Sequence, residues 1–428
     1  MPHDRLEQLL VTALDEKQDA GGLKGAEKII RGIIPPQGGK GPRFLLEGHD
    51  DKLFLRMNSN SYLGMSFVDE VIKAGEKAVR EFGTGPGAVR FISGTWAPHI
   101  ALEKRLADFH RREAAMIFSS AYATMMGILP TLISDQTAVI SDALNHSCII
   151  NAMALARPAE KRVYRHLDLD DLAAQLEAAS AKCRRAIIVT DGIFSMRGDH
   201  APLDAIRRIA EEFDGSFSEN ILLVVDDSHG VGAFGTTGRG TEEYCGDVAA
   251  VPDVGLPADL LIGTLGKAFG VNGGYLVASG AIIRYLRESS PFYIYSNPIT
   301  PGEAAAALKA VDILDSPRGT EMLSHLRAMT ARFEQGLLDM GFETIIGGHP
   351  VVPLMIRDTA RTSALVVHLL ECGVLATGLN YPVVPKGDEE IRFQISADHT
   401  CGDIDQALDA LRRQCQKKTG KSEKPDMN

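Results

Sequence analysis

The feature that most constrains the fold is a run of five consecutive apolar residues, Ile221 to Val225, that ends directly in Asp226. A strand that is apolar at every position has no polar face to turn to water, so it predicts a strand buried on both sides of a parallel sheet. Short apolar runs of this kind alternate with amphipathic helical segments from about residue 66 to residue 280. This alternation predicts an α/β fold in which a mostly parallel sheet lies between helices.

The chain is long enough to require more than one compact core. It has 428 residues, and the alternation of strands and helices is interrupted near residue 300 by an alanine-rich helix. We therefore predict an N-terminal helix and edge segment at 1–65, a large domain at 66–300 and a smaller C-terminal α/β domain at 301–415. Residues 416–428 are polar and have no apolar anchor, which is typical of a disordered tail.

Charge and cysteine content exclude some classes of function. A net charge of −11 argues against a partner nucleic acid, because nucleic-acid binders present basic surfaces. The six cysteines show neither a CxxC pair nor metal-ligand spacing, and the N-terminus lacks the apolar core of a signal peptide. We therefore expect reduced thiols, no bound metal and a cytoplasmic location.

One stretch has the length of a membrane span. Residues 114–134 carry no formal charge, but they include two serines, two threonines, Gly127 and Pro130 before the final Ser134. This composition favours a buried element of a large enzyme, so we expect no membrane span.

A second strand end carries a lysine. The apolar run at 259–262 leads into a glycine-rich turn that presents Lys267, and the stretch from Leu261 to Gly270 contains no acid. Desolvation should lower the pKa of such a lysine, and a neutral amine is the nucleophile of Schiff-base chemistry. Taken alone, the stretch favours the interpretation of Lys267 as a solvated surface lysine, as most lysines are.

Asp226 shifts this balance. A buried carboxylate needs a cationic partner, and a protonated pyridine nitrogen would provide one. Pyridoxal phosphate combines the two requirements, because its protein partners are a Schiff-base lysine and an acid at the ring nitrogen. The sequence therefore predicts a pyridoxal 5'-phosphate site that contains Lys267.

The stretches around this pair, VVDDSHGVGAFGTTGRG and GTLGKAFG, resemble those of the α-oxoamine synthases, a family of pyridoxal-phosphate enzymes of fold type I. The resemblance runs from about residue 20 to about residue 413 and is strongest to the glycine C-acetyltransferase, or 2-amino-3-ketobutyrate CoA ligase, type. Several separated motifs in one order are more specific than a single loop. They are NSYLG (60–64), VRFISGT (89–95), ISDALNHSCII (140–150), TDGIFSMRGD (190–199), YSNP (295–298) and YPVVPKGDEEIRFQISADHT (381–400).

The resemblance assigns roles around the cofactor ring. It implies that Lys267 carries the cofactor, that Asp226 keeps the ring nitrogen protonated, and that His146 stacks on the ring face. Ser195 and His229 match positions that contact the phenolic oxygen or the substrate. Of these residues, Lys267, Asp226, His146 and His229 are the candidate catalytic group.

The resemblance also assigns the phosphate contacts. Backbone amides of Ala121 and Tyr122, at the start of a predicted helix, and the hydroxyl of Thr264 are expected to bind the phosphate. Without the resemblance, Ser119-Ser120 would be interpreted as an ordinary helix cap. Ser296 matches a position that reaches the phosphate from the partner subunit, which implies a homodimer with shared active sites.

The substrate contacts are implied in the same way. Arg392 matches the arginine that binds the amino-acid carboxylate, a task that suits its planar fork of donors. Ser61 stands where similar proteins have an asparagine that contacts the same group. The acyl pocket is expected around Val89, Arg90, Phe91 and Ile92. Because Val89 and Phe91 are apolar where relatives that use succinyl groups are polar, we expect an apolar acyl group.

The predicted reaction joins glycine and acetyl-CoA to form 2-amino-3-oxobutanoate and CoA, or runs in reverse. One alternative within the family is another amino acid or a longer acyl-CoA, as in 8-amino-7-oxononanoate or 3-ketosphinganine synthesis. A second is an aminotransferase of the same fold, which would convert its cofactor to pyridoxamine phosphate with an amino acid alone. A non-catalytic relative is disfavoured by the complete set of Lys267, Asp226, His146 and Arg392.

Overall fold

The computed structural model describes residues 3–19, 23, 26–246, 256–381 and 383–419. The strands, in chain order, are β1 Ile30–Ile34, β2 Arg43–Leu46, β3 Leu53–Arg56, β4 Ala114–Phe118, β5 Thr137–Asp142, β6 Glu160–Tyr164, β7 Arg185–Asp191, β8 Ile221–Asp226, β9 Leu260–Thr264, β10 Gly274–Ala278, β11 Glu343–Thr344, β12 Val351–Met355, β13 Val374–Leu375, β14 Thr377–Leu379 and β15 Glu390–Gln394.

The helices alternate with these strands over most of the chain. They are α1 Asp4–Asp19, α2 Asp69–Phe82, α3 Ala97–Phe109, α4 Ala121–Leu132, α5 Ser147–Ala156, α6 Leu169–Ser180, α7 Leu203–Asp214, α8 Thr241–Cys245, α9 Gly280–Ser289, α10 Pro291–Ile294, α11 Pro301–Leu314, α12 Pro317–Asp339, α13 Thr359–Glu371 and α14 Cys401–Thr419.

The described residues form two compact units. The large unit comprises residues 60–328 and 346–350, and the small unit comprises the described residues up to 59, 329–345 and those from 351 onward. These boundaries differ from the predicted ones, because the N-terminal segment belongs to the small unit and the large unit extends to residue 328 and so includes α11. Helix α11 packs against α2 and α3, and such long-range packing leaves no mark in the local pattern.

A seven-stranded sheet forms the centre of the large unit, in the order β4-β10-β9-β8-β7-β5-β6. The neighbours from β6 to β9 pair in parallel, whereas β10 runs antiparallel between β9 and β4. This arrangement confirms the predicted mostly parallel sheet. Since parallel strands end at one edge, the residues that follow β5, β7, β8 and β9 are brought together there.

The apolar run from Ile221 to Val225, together with Asp226, forms β8. Leu223, Val224 and Val225 are completely buried, as the absence of a polar position required. Their neighbours on β7 and β9 are also apolar and buried, so the middle of the sheet is covered on both faces. Burial of each such side chain contributes about 2 kcal/mol to folding.

The uncharged stretch 114–134 contributes a strand and a helix to the large unit. It forms β4 and α4, and most of their side chains lie in the core. A side chain at Gly127 would lie 2.7 Å from the hydroxyl of Ser290, which shows how closely α4 is packed. The interpretation as a buried element is therefore confirmed. Within the described ranges, the helices lack an apolar stretch long enough to cross a membrane.

The small unit combines the two ends of the chain. Its sheets are β1-β2-β3-β13 and β11-β12-β15-β14, and β13 pairs in parallel with β3. The N-terminal edge segment was predicted as a separate region. Up to Ser59 it belongs instead to the small unit, where it shares a sheet with the C-terminal strand β13. Residues 416–419, predicted to be disordered, continue helix α14, while 420–428 lie outside the described residues.

Candidate active site

A cavity of about 360 Å³ lies at the edge of the large sheet where the parallel strands end. The residues that line it come from segments far apart in sequence, each directly at or after a strand. They are Ala121, Tyr122, His146, Cys148, Asp191, Ile193, Ser195, Asp226, Ser228, His229 and Lys267. The structure thus gathers most of the predicted cofactor residues in one place.

Asp226 ends β8 and is almost fully buried. Its Oδ1 accepts a hydrogen bond from the backbone N–H of Ser228 at 3.1 Å, and its Oδ2 accepts one from the Cys148 thiol at 3.4 Å. A thiol is a weak donor, so these contacts compensate only part of the buried charge. The carboxylate retains the capacity to accept a further proton donor from the cavity.

The next residue, Asp227, has a different role. Its carboxylate accepts hydrogen bonds from the backbone N–H of Thr241 at 2.7 Å and from the Thr241 hydroxyl at 2.6 Å. Burial raises the pKa of Asp227 to about 8, so the group is mostly protonated at neutral pH. Of the two adjacent acids, Asp226 lines the cavity and Asp227 holds the following loop.

His146 precedes α5 and acts as its cap. Its Nδ1 accepts the backbone N–H of Cys148 at 3.3 Å, and its own backbone N–H donates to Asp191 Oδ2 at 3.0 Å. Burial lowers the pKa of His146, against the raising effect of the Asp226 carboxylate, and the Lys267 charge lowers it further. A neutral imidazole at the cavity wall suits stacking on an aromatic ring.

Asp191 is a cavity residue that the sequence analysis missed. It ends β7 beside Asp226, its register partner on β8, and it is buried. Burial raises the pKa of Asp191, and the neighbouring Asp226 raises it further. One carboxyl oxygen accepts from His146, while Oδ1 has no hydrogen-bond partner in the described part of the chain. The available signal in the sequence was an acid directly after the apolar run at 186–189 and Thr190.

Lys267 follows β9 in the glycine-rich turn and is partly buried. Its side chain lines the cavity together with Asp226 and His146. Its charge also lowers the pKa of Asp191, which the burial of that acid otherwise raises. The amine of Lys267 and the carboxylate of Asp226 therefore belong to residues that line one space, as a shared ligand would require.

The first turn of α4 presents backbone amides at the cavity. Ser120 caps the helix by accepting the Ala123 N–H at 3.0 Å, and the amides of Ala121 and Tyr122 belong to the first turn, where no intrahelical acceptor exists. A side chain on Gly274 would lie 2.2 Å from the Ala121 nitrogen, so only glycine allows this approach. Because Gly274 pairs with Thr264, the Thr264 residue lies next to the same helix start.

A buried hydrogen bond fixes the position of His229. Its Nδ1 lies 2.7 Å from the hydroxyl of Tyr62, and its carbonyl oxygen lies 2.8 Å from Nε2 of His349. Tyr62 belongs to the quoted NSYLG motif, but neither it nor His349 was singled out, because their contacts join segments distant in sequence. His229 is thereby held at the cavity wall.

The remaining predicted residues do not line this cavity. Arg90 is buried, and its guanidinium donates to the Glu103 carboxylate at 3.1 and 3.3 Å and to Thr95 Oγ1 at 2.9 Å. Phe91 and Ile92, from the same expected acyl pocket, are each 67% exposed.

The other three are Ser61, Ser296 and Arg392, which are also not among the lining residues. Ser61 and Ser296 are partly buried, and the Ser296 hydroxyl donates weakly to the Asn297 carbonyl at 3.5 Å. Arg392 lies on β15 of the small unit. The substrate roles of these residues, and that of Arg90, stay predictions.

The cavity fits pyridoxal phosphate in the chemistry of its donors. It combines an amine, a buried carboxylate, a neutral imidazole and the amides of a helix start. Two of its buried oxygens, Asp191 Oδ1 and Ser228 Oγ, have no hydrogen-bond partner among the described residues. Unpaired buried oxygens of this kind are costly unless a ligand or water satisfies them.

Comparison with known proteins identifies similar chains. The family model for aminotransferase class I and II matches residues 52–411. The 8-amino-7-oxononanoate synthase 1 of Bacillus velezensis is 38% identical over 374 residues, which are 87% of this chain and 90% of that protein. The mitochondrial 2-amino-3-ketobutyrate coenzyme A ligase of Homo sapiens is 38% identical over 393 residues, or 91% of this chain and 89% of that protein.

A solved structure extends the likeness to three dimensions. Serine palmitoyltransferase from S. paucimobilis, with bound pyridoxal phosphate and myriocin, superimposes with a TM-score of 0.80 at 25% identity. The match covers 96% of this chain and 97% of that one. Together with the family model, it supports pyridoxal phosphate as the cofactor of this chain.

The two adjacent acids provide a matched test of the site. In the holoenzyme, Asp226→Asn should slow exchange of the α-proton of glycine with solvent by about 100-fold, because a buried charge-assisted hydrogen bond contributes about 3 kcal/mol. Asp227→Asn should keep exchange within about threefold, because Asp227 is already mostly protonated and contacts Thr241 rather than the cavity. Proton NMR in deuterated buffer measures both rates. Equal losses in the two variants would contradict the assignment.

Proposed function

Because this chain belongs to the aminotransferase class I and II family and is an α-oxoamine synthase, we propose that it joins glycine and acetyl-CoA. The products are 2-amino-3-oxobutanoate and CoA, and the reverse reaction cleaves this oxo acid with CoA. The observation that carries the proposal is the placement of Lys267, Asp226 and His146 around one cavity. An amine base, a ring-nitrogen acid and a stacking imidazole are the side chains that carbanion chemistry at an amino acid requires.

Each residue has a defined task in this proposal. Bound pyridoxal phosphate supplies an electron sink for the pair left when an α-proton is removed. The Lys267 amine takes that proton, and the Asp226 carboxylate holds a proton on the ring nitrogen. His146 packs on the ring face and, as a neutral imidazole, adds no competing charge.

The carbon–carbon bond forms between the glycine α-carbon and the thioester carbonyl, and the C–S bond to CoA breaks. The proton taken by Lys267 balances the CoA thiolate that leaves. His229, held by Tyr62, is the second proton carrier at the cavity wall that we propose for this step. Arg392 is the proposed ligand for the amino-acid carboxylate, because a guanidinium binds that group bidentately.

A longer acyl group is the second candidate, and specific observations favour it. The relatives include an 8-amino-7-oxononanoate synthase and a serine palmitoyltransferase. Phe91 and Ile92 also leave apolar surface exposed near the expected acyl position. The apolar side chains at Val89 and Phe91 are compatible with both candidates and disfavour a charged acyl group.

A homodimer with shared active sites is part of the proposal. Tyr295, beside Ser296, is 77% exposed to solvent, and Phe91 and Ile92 are each 67% exposed. Large apolar side chains in such positions are typical of surfaces that associate. In this arrangement Ser296 would reach the phosphate site of the other subunit.

The acyl-CoA preference decides between the two candidates. With glycine as the amino acid, we expect kcat/KM to be highest for acetyl-CoA and to fall through butyryl-, octanoyl- and palmitoyl-CoA, because added methylenes need space that a short-chain pocket lacks. Released CoA is measured for each donor. A kcat/KM that rises steadily with chain length would replace the acetyl assignment with the longer acyl group. Conversion of the cofactor to pyridoxamine phosphate by an amino acid alone would identify an aminotransferase instead.

Shared sites can be tested by complementation. Lys267→Ala should be inactive, and Ser296→Glu should be strongly impaired because its carboxylate would repel the phosphate of the partner's cofactor. Purified hybrid dimers of the two variants should regain up to about one half of wild-type activity, because one of the two sites in each hybrid then has both intact residues. Co-expression with two affinity tags isolates the hybrids. Purified hybrids with no more activity than their parents would rule out a shared site at Ser296.

A further inference from the structure

A histidine outside the cavity connects two of the loops that form it. His166 lies between β6 and α6 and does not line the cavity. The loop after β5 carries His146, and the loop after β7 carries Ser195. Both loops are anchored by an aspartate, and the two aspartates are the partners of the same imidazole.

The imidazole of His166 has one carboxylate at each nitrogen. Nδ1 lies 2.9 Å from Asp142 Oδ1, and Nε2 lies 3.3 Å from Asp199 Oδ2. The His166 side chain is only 17% exposed, and that of Asp142 is completely buried. Both ring nitrogens can donate at once only when the imidazole is protonated. The geometry is therefore that of a charged bridge between two acids.

Asp142 anchors the first loop. It is the last residue of β5, and its Oδ1 also accepts the backbone N–H of Leu144 at 2.8 Å, two residues before His146. Its other oxygen accepts the backbone N–H of Leu167 at 3.0 Å. The carboxylate thus holds the start of the His146 loop against the turn that carries His166.

Asp199 anchors the second loop. Its carboxylate accepts from Arg197 Nε at 2.7 Å, and its carbonyl oxygen accepts the Phe194 N–H at 3.0 Å. The Phe194 ring packs edge-on against His166, with 4.4 Å between the ring centroids. Ser195 follows Phe194 directly, so the imidazole contacts the loop through both its charge and its ring face.

We propose that His166 is a positioning residue whose imidazolium holds the His146 loop and the Ser195 loop in the arrangement that binds pyridoxal phosphate. The inference rests on the cofactor contacts assigned to His146 and Ser195 in the proposed function. His166 itself touches neither cofactor nor substrate, so it acts on affinity through the two loops.

This role has a pH signature. The charged groups that face His166 are Asp142 from β5 and Asp199 from the loop after β7, where Arg197 shares the Asp199 carboxylate. Although burial opposes it, pairing with Asp142 and Asp199 raises the pKa of His166 from 6.5 to about 9. A raised pKa in the folded state means that the bridge contributes fully below about pH 6.5 and is lost as pH rises through 9.

The test is the affinity of the apoenzyme for pyridoxal phosphate in His166→Gln. A glutamine has similar reach but carries no charge, and its amide oxygen would repel one of the two carboxylates. We expect the dissociation constant to rise about tenfold at pH 7, as for loss of a hydrogen-bonded buried charge, and only about twofold to threefold at pH 10. The ratio of variant to wild type at each pH removes the pH dependence of the cofactor itself.

Two further variants separate positioning from general destabilisation. His325→Gln changes an exposed histidine of the large unit and should leave the ratio near one at both pH values. Asp199→Asn keeps the shape of the anchor but removes one charge, and it should give a smaller loss with the same pH trend. Hydrogen–deuterium exchange should rise in His166→Gln for residues 143–146 and 192–200.

The results distinguish the proposed role of His166 from general destabilisation and from failure of the proposed function. A ratio near one at pH 7, or a ratio that is equal at pH 7 and pH 10 in both His166→Gln and Asp199→Asn, would overturn the proposal. Unchanged exchange in the two loops would also overturn it. If the ratios of variant to wild type follow the expected pH trend but wild type releases no CoA from any acyl donor, the proposed function fails and the role of His166 stands.

Discussion

The buried carboxylate of Asp226 is the constraint on which the rest of the site depends. A charge at the end of a strand that is covered on both faces costs several kcal/mol unless it is compensated. One backbone amide and one thiol supply only part of that compensation. The raised pKa of Asp191 keeps that neighbouring acid uncharged and so removes a repulsion, whereas the lowered pKa of His146 means that this imidazole provides no compensating charge. A cation is therefore still required beside Asp226, and in the proposed function a protonated pyridine nitrogen provides it.

The fold places Asp226 at the edge of the sheet where a bound cofactor can supply this cation. Parallel strands end at one edge, so the acid after β8, the amine after β9 and the helix start after β4 converge without long loops. The convergence needs close backbone approaches, and Gly274 provides the one at the helix start. Ala121, Asp226 and Lys267 therefore line one cavity because the strands that precede them belong to the same sheet. The inferred bridge at His166 adds a connection between the two loops that complete the wall.

The sequence alone was sufficient to predict those features of the site that depend on residues close together in the chain. The apolar run before Asp226, the glycine-rich turn at Lys267 and the helix start at Ala121 each carry their own pattern, and the structure places all three at the cavity. Asp191, Cys148 and Tyr62 were missed because their roles come from contacts with distant segments. The same reason explains the position of α11, whose partners α2 and α3 lie far away in sequence. For Arg90, composition alone did not reveal that Glu103 would occupy its guanidinium.

The most direct test of the account is the site of covalent attachment of the cofactor. Borohydride reduction of the holoenzyme followed by peptide mass spectrometry should place the reduced pyridoxyl phosphate group on Lys267. The exposed Lys104 of α3 serves as the internal control and should remain unmodified under the same conditions. Pyridoxyl phosphate on another lysine, or undiminished fixation in Lys267→Ala, would contradict the assignment of the cavity as the cofactor site.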